Sequence, residues 1–462
     1  DFILFGIGGA LSKASSIILL PFYTFYFSPE EYGVLEILTV IITLSSILGL
    51  LQLESSLSRF FYEYITEERR QLITTLFLFS GVLSFFITVI LWMLGDAINL
   101  LIFDSLIYVN AYNISLLSLP LFCINSLLIV IIRFTEKKQI FIQSQGLMFL
   151  ANLIIPVVLV YFFDWGISSF FWGQFFGLLL AVLFISLSSR KEFSTTFSIQ
   201  FIVPSLKYSL PLIPGVASGW VNSYGSRFLM ISYLSFKEIG IYAAAIKIAS
   251  IFQLIGAAFR MTWPQFFWKT FKEDKNHKQI FRNVHHWLSL IISVLIIFFT
   301  IFVGDVISLV LTEGYNQAAI YIPMISFSFL IQSFLLQIVG VGPAIKYKTK
   351  YNSYSFILGT VLNLLGLVIF LPKIGLIAVP LSFLLSSLVS YFALWYFSEL
   401  LYPINFSKRH TILHFSVILL NIFLILFMII PFQEKLLLFL VSTMIIVLSS
   451  DKLMNKIKVL LK

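Results

Sequence analysis

Fourteen predominantly apolar runs follow one another along the chain with only short links between them, at 3–27, 32–53, 71–95, 107–132, 140–161, 167–189, 208–234, 239–261, 281–303, 318–343, 351–371, 375–398, 411–430 and 435–450. A helix needs about 20 such residues to cross the hydrocarbon of a bilayer. The runs are long and continuous, without the alternation of a barrel wall, so they read as helices. Only 11% of the residues are charged, against roughly a quarter in a soluble domain. Length alone would suggest about three soluble domains, but there is too little charge to coat them. Lipid must do so.

The first run reaches Phe27, longer than the apolar core of a signal peptide and without a small-residue cleavage site, so it reads as a retained span. The longest link, about 262–280, is short and basic. No link is large enough for an independent domain, which leaves function to the space between helices.

The basic residues test the division into spans, because cytoplasmic links are enriched in Lys and Arg. Links after even-numbered spans carry Arg59, Arg69 and Arg70, then Arg133, Lys137 and Lys138, then Arg190, Lys191 and Lys207. The later ones carry the set from Arg260 to Arg282, Lys346 to Lys350, Lys408 with Arg409, and four lysines of the tail, in all 24 of the 30 basic residues. Links after odd-numbered spans hold only Lys237, Lys373 and Lys435, and Lys13, Arg227 and Lys247 fall inside spans. A span missed or invented in the middle would destroy this alternation. The expected fold is therefore an all-α integral membrane protein of fourteen transmembrane helices with both termini cytoplasmic. The net charge of +9 then faces lipid headgroups, and no nucleic-acid partner is expected.

The single cysteine, Cys123, excludes a disulfide framework, a Cys-based zinc site and an iron–sulfur cluster within one chain. His277, His285, His286, His410 and His414 lie at or beside basic links and read as interfacial residues. His410 and His414 have the i, i+4 spacing of helical metal ligands, but no Asp or Glu accompanies them, so no metal and no cofactor is expected.

The chain also repeats itself. Tyr26 to Gly33 aligns with Tyr233 to Gly240, sharing Tyr, Ser, Glu and Gly at a spacing of 207, and each copy is the tight turn between two spans. With a slip of one residue, Arg59-Phe60-Phe61-Tyr62 matches Gln265-Phe266-Phe267-Trp268. Six spans separate the copies, so both halves keep one orientation. Either two bundles are related by an axis along the membrane normal, or Ser-x-x-Glu-x-Gly is a common cap sequence. Duplication gives a six-helix bundle over 1–205, a second over 206–400, and two appended helices with a basic tail over 401–462.

The stretch Leu20-Pro21-Phe22-Tyr23-Thr24-Phe25-Tyr26-Phe27-Ser28-Pro29-Glu30-Glu31-Tyr32-Gly33, followed by a polar-speckled span ending in Ser58-Arg59-Phe60-Phe61-Tyr62-Glu63, resembles the polysaccharide biosynthesis flippases of the O-antigen type. These belong to the multidrug/oligosaccharidyl-lipid/polysaccharide exporter superfamily. Phe27 stands where Leu is usual. The likeness in residues covers spans 1–2 and, less sharply, 7–8, whereas that in architecture covers the whole chain. The resemblance implies a non-enzymatic transporter of the bacterial cytoplasmic membrane, moving an undecaprenyl-pyrophosphate-linked oligosaccharide outward by alternating access. It implies membrane lipids and other polysaccharide-assembly proteins as neighbours, and a monomer. Many members have twelve spans, and fourteen is the count of the related lipid II flippases.

Charge inside hydrocarbon costs at least about 2.5–3.5 kcal/mol on insertion scales and marks functional positions. Lys13 shares a helix face with Gly6, Gly9, Ser16 and Thr24. Trp220, Ser223, Tyr224 and Arg227 follow i, i+3, i+4, i+7 in the seventh span. The eighth brings Lys247, Ser250, Gln253 and Arg260, and the second brings Glu36, Thr39, Thr43, Ser46 and Glu54, with Arg59 just beyond. On the resemblance, Lys13, Arg227, Lys247, Arg59 and Arg260 are expected to hold a pyrophosphate, with Trp220, Tyr224 and Glu36 beside it. Simpler roles are open for each: Lys13 pairing with Glu36, Arg227 reaching the outer interface, Arg59 and Arg260 anchoring at the inner one. Pro21 in the first span and Pro211, Pro214, Gly215 and Gly219 in the seventh can bend those helices, statically or during rocking.

Two other functions compete. A cation-coupled multidrug exporter would need intramembrane carboxylates, for which Glu36 and Glu54 are the candidates. An enzyme of polysaccharide assembly would need a nucleotide site or a carboxylate-bearing outer domain, and the sequence carries no phosphate loop, Asp-x-Asp or paired nucleophile and base.

Overall fold

The computed structural model describes residues 15–348, 350–428 and 430–449. Lys13 and the tail beyond 449 lie outside the described residues. Among those described there is no strand, and each apolar run is helical over most of its described length. Nine helices are long and apolar enough to cross a membrane, or ten if Phe236–Ala249 and Ile251–Glu273, which bend by 41° at Ser250, count as one span. The chain is thus a multi-pass, all-helical membrane protein. It divides between Gly240 and Ile241 into two compact units, so the run 208–234 belongs to the first.

The first unit contains α1 (Leu20–Tyr26), α2 (Pro29–Leu50), α3 (Leu53–Phe60), α4 (Thr66–Met93), α5 (Val109–Phe134), α6 (Lys138–Phe163) and α7 (Ser168–Ser188). Helix α5 packs against α2, α4 and α7, and its Leu119, Cys123, Leu127 and Ile131 are almost wholly buried. Lipid tails are as apolar as these side chains, so close packing and polar pairing rather than the hydrophobic effect hold the helices together. The second run is not one helix to 53. Leu51 and Gln52 both take left-handed backbone (φ 46° and 58°), which few residues with a Cβ adopt, and α3 starts afresh after them. The interruption frees carbonyls at the end of α2. One is satisfied at once: the Ser80 hydroxyl donates to the Gly49 carbonyl at 3.1 Å.

The seventh run stays helical but widens within it, from α8 (Ile213–Trp220) through a π-helical turn (Val221–Gly225) to α9 (Ser226–Ile231). Helix α10 (Phe236–Ala249) follows. The repeated turns have the same local chemistry. Ser28 caps α2, accepting from the Glu31 amide at 3.2 Å while its own amide donates to the Glu31 carboxylate at 2.8 Å. Ser235 and Glu238 do the same before α10 at 3.3 and 2.9 Å. This is the reciprocal capping box. The turns also touch. A Cβ on Gly33 would overlap the Phe236 carbonyl oxygen, and one on Gly240 would overlap that of Pro29, so this approach requires glycine on both sides.

The second unit holds α11 (Ile251–Glu273), α12 (His277–Val310), α13 (Ala318–Leu330), a π turn (Ile331–Leu335), α14 (Leu336–Val339), α15 (Val341–Ile345), α16 (Lys350–Ile374), α17 (Ala378–Leu401), α18 (Lys408–Phe427) and α19 (Phe432–Leu448). The apolar stretch Lys350–Leu401 is 52 residues long. Straight, it would run roughly 78 Å, more than twice the ~30 Å hydrocarbon core. Instead Gly375 (φ +61°) reverses it, and α16 and α17 pack as a hairpin. Helix α12 packs against α13, α18 and α19, and Lys435 of α19 pairs with Asp305 of α12 at 2.7 Å.

His285, His286 and His414 are buried where α12, α17 and α18 meet. His285 Nε2 lies 2.7 Å from the Tyr391 hydroxyl, and His414 Nδ1 lies 3.1 Å from that of Ser289. A neutral imidazole with hydroxyl partners enters a helix interface at modest cost, whereas an imidazolium would not. Among the described residues no group of His, Cys, Asp or Glu is arranged to hold a metal.

Candidate functional site

In the first unit α2 and the seventh run lie side by side and antiparallel, and the register is visible in two cross-links. Glu36 meets Arg227, and seven residues along each chain in opposite directions, Thr43 meets Trp220. Seven residues is two helical turns, so both links fall on one face of α2, as the stripe Glu36, Thr39, Thr43 requires. The Arg227 Nη2 donates to Glu36 Oε1 at 3.2 Å, with side chains only 6% and 11% exposed. The Trp220 indole donates to the Thr43 hydroxyl at 3.2 Å, and that hydroxyl donates in turn to the Val40 carbonyl at 2.9 Å.

Tyr224 stands between the two links. Its ring centroid is 6.1 Å from that of Trp220 and 5.4 Å from the Arg227 guanidinium carbon, within cation–π range. Tyr224 belongs to the π turn, which carries five residues where an α turn would carry fewer. Such bulges are frequent at functional sites. The outcome is a buried cation with a carboxylate on one side and an aromatic face on the other. A guanidinium can hold an oxyanion bidentately.

One of the simpler roles is thereby replaced. Arg227 is turned onto Glu36 and buried rather than reaching an interface, and the Glu36 carboxylate has Arg227 as an ion-pair partner. Lys13 lies outside the described residues. Arg59 does not join the group: it sits half-exposed near the end of α3, bridged to Glu63 and 5.8 Å from the Phe60 ring centroid.

In the second unit, Lys247 is half-buried on α10 and its carbonyl accepts from the Ser250 hydroxyl at 2.6 Å. Arg260 of α11 donates to the Ser333 hydroxyl at 2.9 Å, and Ser333 lies in the second π turn. Beside it Gln332 donates to the Ser387 hydroxyl at 2.9 Å. Sequence reasoning missed both π turns and the polar Gln332-Ser333 pair. The signal available for the latter was two adjacent hydrogen-bonding residues in the middle of the tenth run.

Residues 26–320 match the family model described as polysaccharide biosynthesis protein. A Lsg locus protein of Haemophilus influenzae is 22% identical over 84% of this chain and 98% of its own. Among solved structures, the lipid II flippase MurJ in an inward closed conformation aligns over 98% of this chain and 100% of its own, at 15% identity and a TM-score of 0.74. An inward-facing multidrug resistance transporter of the MATE family aligns over 84% of this chain and 94% of its own, at 12% identity and a TM-score of 0.61. The fold is the one these transporters share.

Proposed function

Because the chain belongs to the polysaccharide biosynthesis protein family, we propose that it is a flippase of the bacterial cytoplasmic membrane. It moves an undecaprenyl-pyrophosphate-linked oligosaccharide from the inner to the outer leaflet by alternating access. The observation that carries this reading is the buried Arg227, held by Glu36 and flanked by Tyr224 and Trp220. A cation placed in the membrane needs a reason, and an anionic headgroup that carries sugars supplies one. The inner-link bias of Lys and Arg supports fourteen spans with both termini inside. The paired turns support two related six-helix bundles, 1–205 and 206–400, with two helices appended. Lys13, Lys247, Arg59 and Arg260 are further cations for the headgroup to meet during transfer, and the chemistry is binding and release rather than catalysis.

The test uses vesicles reconstituted with purified protein and a fluorescent lipid-linked oligosaccharide. Replacing Lys13, Arg227 and Lys247 together by Gln, with insertion unchanged, abolishes transfer between leaflets; undiminished transfer sinks the role of these cations.

A second reading, a cation-coupled multidrug exporter, is favoured by one observation: Glu36 is a buried carboxylate beside aromatic rings. Its pairing with Arg227 weighs against it, since a lipophilic cation would have to displace a guanidinium. Binding of such a cation in preference to the lipid pyrophosphate would select it.

A further inference from the structure

The second unit contains a cavity that the functional reading leaves unused. It has a volume of about 270 Å³ and lies between α11, the doubly broken helix α13 to α15, and the hairpin α16–α17. Its wall includes the rings of Trp263, Phe267, Trp268 and Phe356, and two amide side chains, Gln337 and Asn352. Three features bear on what it holds.

The first is size: the cavity falls just below the roughly 300–1,000 Å³ of drug-sized sites, room for one ring and not for a chain. The second is charge. None of the described residues that line it is ionisable, so it suits neither a lipophilic cation nor a bare phosphate. The third is polarity placed against aromatic faces. The Asn352 Oδ1 is shut off from solvent and has no hydrogen-bond partner among the described residues, a situation that calls for an explanation. Asn352 also lines the cavity, and rotation about its side-chain torsions would bring that oxygen to a hydroxyl donor there. A purely hydrocarbon occupant would leave the Asn352 amide oxygen unanswered, whereas a pyranose offers hydroxyls at its edge for the two amides and an apolar C–H face for the rings.

The wall is also built to hold its shape. The Trp263 indole donates to the Gln337 carbonyl at 3.1 Å, fixing α11 against the broken helix where Gly340 interrupts it. Arg260 lies one turn before Trp263 on the same helix and reaches the adjoining π turn.

We propose that this cavity is a sugar subsite that receives the pyranose attached directly to the pyrophosphate, with Arg260 serving the phosphate one turn away. The inference rests on the flippase reading and adds to it a defined place and chemistry for the first sugar.

Isothermal titration of the full-length protein in detergent, with farnesyl pyrophosphate and with farnesyl pyrophosphate carrying a single hexose, separates the two ideas. The wild type binds the glycosylated probe about tenfold more tightly, the gain of one or two hydrogen bonds and a stacked ring. Asn352→Ala, Gln337→Ala and Trp268→Leu each cut that preference at least threefold and leave farnesyl pyrophosphate affinity unchanged. Arg260→Gln weakens both probes. Equal affinity of the wild type for the two probes, or a preference that survives N352A and Q337A combined, overturns the sugar subsite while leaving the flippase reading intact. Failure of both probes to bind overturns the flippase reading as well. Three variants on three different helices guard against one that merely misfolds.

Discussion

Removing the charge of Glu36 tests whether the ion pair in the first unit is a working element or a fixed brace. The Arg227 to Glu36 distance is 3.2 Å with both side chains nearly sealed from solvent. At an effective dielectric constant of about 20 their attraction is about 5 kcal/mol. Deleting one partner of such a pair typically costs about 3–5 kcal/mol, because the other charge stays buried. Glu36→Gln keeps the shape, so the loss is electrostatic. For a unit of this size each kcal/mol moves a melting midpoint by roughly 2–4 °C, so E36Q lowers the apparent midpoint in detergent by roughly 10 °C. Arg227→Gln does the same, and the double variant recovers most of the loss because neither charge is then orphaned. The functional part has the opposite sign. With Glu36 neutral, the guanidinium has one competitor fewer, and affinity for farnesyl pyrophosphate rises as stability falls. Single variants within about 2 °C of wild type, or a double variant whose effect is the sum of the two, would refute the ion-pair argument. A large loss of stability with unchanged pyrophosphate affinity would reduce Arg227 to a brace.

Two further outcomes follow from packing. Gly33→Ala or Gly240→Ala drives a methyl group into a backbone carbonyl, which cannot swing aside as a side chain can. Each lowers stability by about 1–3 kcal/mol in thermal melts, whereas Gly81→Ala, whose Cβ would meet only Ile124 at 3.5 Å, is tolerated. Tyr391→Phe removes the hydroxyl 2.7 Å from His285 Nε2 and leaves a buried ring nitrogen unanswered, at a cost of about 1–3 kcal/mol. Tyr396→Phe, on a residue 65% exposed, changes the melt by less than 0.5 kcal/mol, the usual range for surface substitutions.

The helices were legible because bilayer thickness imposes a length on each run, and the polar face of α2 because Glu36, Thr39 and Thr43 keep helical period. The face of the seventh run was legible in part for the same reason, since Trp220, Tyr224 and Arg227 do gather. What period cannot supply is a partner. The sequence offered Lys13 as a partner for Glu36 and the outer interface for Arg227; that Arg227 reaches Glu36 is set by how α2 and the seventh run abut, 191 residues apart in sequence. Breaks without glycine or proline were equally hidden. Leu51 and Gln52 carry no breaker signal, and their reversal becomes affordable only because Ser80 on another helix takes the freed carbonyl of Gly49. The partners of His285 and His414 were hidden for a related reason: their neighbours in sequence are basic links, but their neighbours in space are Tyr391 and Ser289.

The repeated turn bears on origin more than on stability. Capping alone explains Ser and Glu in each copy, since the N-cap and N3 positions of any helix favour them. It does not explain the glycine two residues later, which lies inside the first turns of the helix, where glycine is a poor former. The contact between the turns explains it. Gly33 faces the carbonyl of Phe236, and Gly240 faces the carbonyl of Pro29. With the offset of 207, Pro29 corresponds to Phe236 and Gly33 to Gly240, so each copy presents the same two positions to the other. A pair of unrelated caps has no reason to be reciprocal, whereas two copies related by a twofold axis must be. The same glycine thus answers two questions at once, why the turns approach so closely and why the phrase occurs twice, and this favours duplication over a shared taste for a common cap.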